Sequence, residues 1–177
     1  MIKRMINFIR HFLKREDGTA AMEAVMLFPP LLLLLMGVYD LGNGIILSQK
    51  TITATQIAAD LVARDSTIDI TRLNDSIEAA RLAYEPYSLN EFGIDIASVE
   101  FDSNRMPQIL WRETRDMPPN SDAITNVNGI GDEGEGMVIV TVRYTYTPFF
   151  AHYFTSDLDM QEVAYARGRR SPTVEWE

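Results

Sequence analysis

The chain predicts an α+β fold: one long N-terminal helix, a membrane span that continues into an exported domain, packed there on a small antiparallel sheet. Three observations carry this. Residues 24–39 form an apolar run without a single charge. Apolar residues then recur at helical spacing as far as Tyr84, and the second half alternates with the period of two that belongs to strands. The expected division is a basic leader over residues 1–18, a transmembrane helix over 19–47 and an α+β domain over 48–177.

The leader comes first. Lys3, Arg4, Arg10, Lys14 and Arg15 against Glu16 and Asp17 give residues 1–17 a net charge of +3. With -9 on the whole chain, the remainder carries -12. A basic head before an apolar span places the N-terminus in the cytoplasm by the positive-inside rule. The acidic body then lies across the inner membrane, in the periplasm of a Gram-negative cell. That body has no basic patch to neutralise phosphates, so nucleic acid is not an expected partner.

The span follows. A helix rising 1.5 Å per residue needs roughly 20 apolar residues to cross the ~30 Å hydrocarbon core. From Glu23 to Asp40 is only about 25 Å of helix, so the span reaches past at least one of them. Residues 20–41 fit, with Glu23 just inside one interface and Asp40 near the other. The stretch is long for a removable secretory signal, and Gly37-Val38-Tyr39-Asp40 after it offers no small-x-small cleavage site. Membrane lipid is therefore a partner.

Two features of the span are unusual. Gly18 ends the leader, and Glu23 places a carboxylate where a lipid-facing helix bears a cost. A cut after Gly18 would free an α-amine on Thr19, about one helical turn from a carboxylate on Glu23 or on a neighbouring subunit. Pairing the two offsets their desolvation and sets register between neighbours. The plainer alternative is a Glu23 that snorkels to the interface. Pro29 and Pro30 each remove a backbone donor, and Pro30 crowds the Met26 carbonyl, so a kink is expected there. Such a kink is either an ordinary tolerated membrane proline or a weak point that lets the helix adjust on leaving the bilayer.

The exported domain opens with a helical stripe of Ile52, Ile57, Leu61 and Val62 with Ala54 and Ala58, broken near Asp65-Ser66-Thr67. Asp69 or Thr71 caps a second helix bearing Leu73, Ile77, Ala80 and Tyr84, which stops near Pro86. Strands are expected around 94–101, over 108–114 about Trp111, over 137–147 and over 160–167. In the third, Val138, Val140, Val142, Tyr144 and Tyr146 share a face, and Pro148 ends it. Meander pairing is the simplest antiparallel arrangement. Residues 118–136 read as a long polar loop. Its Asp132, Glu133 and Glu135, spaced by glycines, are a Ca²⁺ candidate through oxygen ligands. The EF-hand order is absent, however, and Gly-rich acidic turns are common hairpin tips.

No enzyme is indicated and no cofactor is expected. The chain has no cysteine and two histidines, His11 in the leader and His152 amid aromatic residues. It carries no nucleophile-elbow, zinc-helix or phosphate-loop signature.

The stretch from Gly18-Thr19-Ala20-Ala21-Met22-Glu23 through Pro29-Pro30, the leucines 31–35, Gly37, Asp40 and Gly42 resembles the TadE-like family. These are minor pilins or pseudopilins of the tight-adherence (Tad) pilus, related to type IV pilins. The resemblance covers roughly residues 14–42. It implies a pilin-like fold, cleavage after Gly18 by a prepilin peptidase, and assembly through the N-terminal helix with Glu23 as register device. Implied partners are other pilin or pseudopilin subunits and the inner-membrane assembly platform, with incorporation into an extracellular pilus as the endpoint. Thr19 departs from the methylated Phe or Met of many type IV pilins. Ala24 departs from the Tyr of the small major Tad pilin, and the chain is far longer than that pilin, which points to a minor component. The alternative is an unprocessed single-span anchor whose acidic domain binds another envelope protein, and a weaker third reading is a Ca²⁺-linked adhesin.

Overall fold

The computed structural model describes residues 17–150 and 156–177. The leader, with His11, and the segment holding His152 lie outside the described residues. The chain forms α1 (Asp17–Val62), β1 (Thr67–Ile68), α2 (Ile70–Leu82), β2 (Phe92–Phe101), β3 (Pro107–Arg115), α3 (Ser121–Thr125), β4 (Gly136–Tyr146), β5 (Leu158–Ala166) and β6 (Glu175–Trp176). This is the expected α+β plan of one long helix followed by a small antiparallel sheet.

Helix α1 runs 46 residues without interruption, through both Pro29 and Pro30, a length of about 69 Å. Its two halves live in different surroundings. Up to Tyr39 the side chains are exposed almost all round, and the apolar window is not buried by the other described residues. From Asp40 onward one stripe is buried: Asp40, Gly44, Leu47, Thr51, Ala54, Thr55, Ala58, Ala59 and Val62. The spacing of three and four is that of a single helix face.

That stripe differs from the expected one. Ile52, Ile57 and Leu61 are only half-buried, and small residues occupy the contact line. Ala and Gly let the helix axis approach the sheet closely, while the larger side chains flank the contact. The buried threonines bond within the helix, Thr51 Oγ1 to the Leu47 carbonyl at 2.9 Å and Thr55 Oγ1 to the Thr51 carbonyl at 2.6 Å. They therefore add no unpaired polar group.

Helix α2 begins where Asp69 caps it, the carboxylate accepting the Arg72 N–H at 2.7 Å. It packs beside α1 through Leu73, Ile77 and Ala80. Lys50 Nζ donates to the carbonyls of Ala83 and Glu85, both at 2.8 Å, placing a cation at the α2 C-terminus.

The four long strands pair antiparallel in the order β3-β2-β4-β5. This corrects the meander: β4 pairs with β2 instead of adding outside β3. The segment 116–135 makes this possible by crossing back over the sheet, so that β2 becomes central and is buried on both faces. One face carries Ile94, Ile96, Val138, Val140, Val142 and Tyr144 against α1 and α2. On the other, Val99, Phe101, Met137 and Ile139 pack with Ala123 and Val127. The expected polar loop is thus a cover containing a short helix. Gly131 permits its close approach, because a Cβ there would lie 2.1 Å from the Phe101 ring.

A buried ion pair anchors this cover. Asp95 is 3% exposed and binds Arg112 in a fork, Nε at 2.9 Å and Nη2 at 2.6 Å. Asp95 also accepts the Asn120 N–H at 2.9 Å, and the Asn120 side chain caps α3. The C-terminal tail closes the domain edge without a disulfide. The Val174 carbonyl accepts Ser98 Oγ and Trp111 Nε1, both at 2.8 Å. Strand β6 pairs parallel with β1.

Candidate functional site

The sequence-predicted site residues fall at the two ends of the molecule. Gly18, Thr19 and Glu23 lie in the first turns of α1, all exposed. Thr19 and Glu23 are four residues apart, so they share a helix face. A Cβ on Gly18 would meet nothing within 4 Å among the described residues, so packing there does not call for glycine. The same holds for Gly37, although a mid-helix glycine costs about 1 kcal/mol relative to alanine.

Around and beyond Glu23 the helix is apolar on every side. Met22, Val25, Met26, Phe28, Leu31 and Leu34 are each 62–74% exposed. A helix hydrophobic all round is stable only when lipid or other helices surround it. Pro29 and Pro30 withdraw the donors that the Val25 and Met26 carbonyls would otherwise receive.

The acidic turn lies at the far end of the sheet. Strand β4 leads from Gly136, beside that turn, to Tyr146, which reaches Asp40, a distance of about 33 Å. Asp132 pairs with Arg105 at 2.6 Å, and Glu135 with Arg167 at 3.3 Å. Glu135 also accepts the Asp132 N–H. These carboxylates hold the turn to its neighbours. No group of three or more His, Cys, Asp or Glu among the described residues is arranged to hold a metal ion.

The junction of span and domain is a feature whose connections the sequence did not reveal. Asp40 is 5% exposed although it stands at the end of the apolar run. Its Oδ1 accepts the Phe149 N–H at 2.9 Å and the Tyr146 hydroxyl at 3.3 Å. Oδ2 accepts the Phe150 N–H at 2.9 Å. Burial first, and then the Asp40 charge and hydrogen bond, push the Tyr146 hydroxyl up to about 12, which keeps it a donor. One turn further on, Asn43 accepts from the Tyr87 hydroxyl at 3.1 Å, and a Cβ on Gly44 would stand in ordinary contact, 3.8 Å, with Tyr146 and Leu158. The carboxylate at position 40 was visible in the sequence, but its partners lie more than a hundred residues away and no local pattern announces them.

These contacts are mechanical in effect. They lock the sheet to one face of α1 from residue 40 onward and leave the first half of the helix free for other surroundings. Residues 18–60 match a family model described as TadE-like protein, a family of structural proteins associated with the Tad pilus. The match covers most of α1 and stops before the sheet. No curated protein and no solved structure matches the chain.

Proposed function

We propose that this chain, anchored by a TadE-like helix, is a structural assembly protein: a minor pilin or pseudopilin of a Tad or type IV-like pilus. It is cleaved after Gly18 by a prepilin peptidase and assembles through α1. The observation that carries the reading is the placement of the family match. It falls on the helix whose first half is apolar all round and largely exposed among the described residues.

The mechanism follows from charge and burial. Before assembly, the N-terminus is cytoplasmic, α1 crosses the inner membrane and the sheet domain stands in the periplasm. Removal of the leader places an ammonium group on Thr19 within a turn of Glu23. In a bundle of such helices that carboxylate pairs with its own or a neighbour's terminus, and a helix out of register leaves two unpaired charges in an apolar setting. Pro29 and Pro30 loosen the backbone bonding as the helix passes from lipid to a fibre. The domain supplies lateral contacts to other subunits and to the assembly platform.

The experiment is an intact-mass and N-terminal measurement on the chain purified from membranes of cells that possess the peptidase. A mature chain beginning at Thr19 is expected. A chain that retains Met1 contradicts processing and favours the unprocessed anchor.

A further inference from the structure

The turn after β4 enters the same level as the span. Phe149 and Phe150, together with Leu32, Leu35, Met36 and Tyr39, line an open groove of about 510 Å³ along α1. The Phe150 ring meets Tyr39 edge-on at 5.6 Å and Phe149 at 4.8 Å. From Leu32 to Tyr39 the helix rises about 10 Å. Every helical residue of the groove therefore precedes Asp40 and belongs to the apolar stretch. Whatever surrounds that stretch surrounds the two rings.

We propose that the turn at Pro148-Phe149-Phe150 dips into the leaflet on the domain side, and that lipid acyl chains occupy the groove. The proposal rests on α1 spanning the membrane. Non-helical backbone can enter a bilayer only if its polar groups are satisfied, and here the donors are. Pro148 has no N–H, and the N–H groups of Phe149 and Phe150 both end on the Asp40 carboxylate. Phe149 is 68% exposed at this level, a placement that costs free energy in water and none in lipid. Tyr39 and Tyr146 put hydroxyl-bearing rings beside the turn, as aromatic residues do at a membrane boundary. The turn gives the domain a second attachment beside the helix, which fixes its rotation about the helix axis.

The chain has no cysteine, so single labels are unambiguous. Full-length Phe149→Cys, Leu33→Cys and Ile130→Cys are each labelled with an environment-sensitive fluorophore and placed in phosphatidylcholine vesicles. Some vesicles carry a nitroxide on the upper part of the acyl chain. Leu33 is the reference within the span, and Ile130, beside the distal acidic turn, is the reference in water. The Phe149 label is expected to lose most of its emission to the nitroxide, as the Leu33 label does, while the Ile130 label loses none. Quenching at Leu33 but not at Phe149 overturns the proposal and leaves the anchor intact. A Phe149 label shielded from water, unquenched by lipid nitroxide and quenched by a nitroxide on a second copy assigns the groove to that copy, and also overturns it. No quenching at Leu33 overturns the membrane anchor itself, and the proposal with it.

Discussion

Tyr84 shows how much a single residue ties together. It is fully buried, stacked on Tyr144 at 4.9 Å and edge-on to Phe92 at 5.4 Å. Its hydroxyl donates to Thr51 Oγ1 at 2.9 Å and so joins α2 to α1. Burial pushes the Tyr84 hydroxyl up to about 12 against an ordinary value of 10.0. Between those two values the folded chain keeps a proton that the unfolded chain releases. The contribution is therefore complete below about pH 10 and is lost as pH rises toward 12. Thermal melting between pH 9 and 12 is expected to show that decline, with a shallower slope in Tyr84→Phe. The slope does not vanish, since Tyr144 and Tyr146 are also shifted upward. At neutral pH the same substitution is expected to cost about 1 kcal/mol for the lost hydrogen bond. Equal slopes in the two proteins would contradict the assignment.

Among the elements, the crossing segment from β3 to β4 decides the topology, and Asp95 decides how firmly that segment is held. The Asp95–Arg112 pair is closed from water by the backbone of Asn120. Removing one partner of a largely buried pair strands the other charge, so Asp95→Ala is expected to cost about 3 kcal/mol. Urea unfolding measures that cost, and hydrogen exchange is expected to show α3 losing protection before α1. A cost below about 0.5 kcal/mol, the range of an ordinary surface change, would mean that the pair does not hold the cover.

The same elements show what the sequence could convey. Helix α1 was legible because an uncharged run is a local signal, and the Asp69 cap and the Val138 to Tyr146 face were legible for the same reason. The pairing of β4 with β2 was not, since both neighbour choices bury the same alternating face. The covering role of residues 118–136 was hidden by their polar composition. Its apolar members, Ala123, Ile124, Val127 and Ile130, are too few to register as a periodic pattern, yet the first three close one face of the sheet. The Asp40 cluster depends on partners that only the tertiary fold brings near.

Taken whole, the molecule is a rod with a cap. The cap has two cores, one of them shared with α1, and grips α1 from Asp40 to Val62. Among the described residues, the apolar partner of the rod before Asp40 is the Phe149–Phe150 turn. Such a division suits a subunit that is stored in lipid and later packed among like helices, and we propose that Glu23 on the half before Asp40 pairs with a neighbour. We propose that the protein assembles through that half. The most direct test is Glu23→Ala, followed by the fraction of protein recovered with sheared pili or in cross-linked pilin complexes. Leader cleavage and membrane insertion are expected at wild-type levels, with incorporation lost. Incorporation equal to wild type would contradict the proposal.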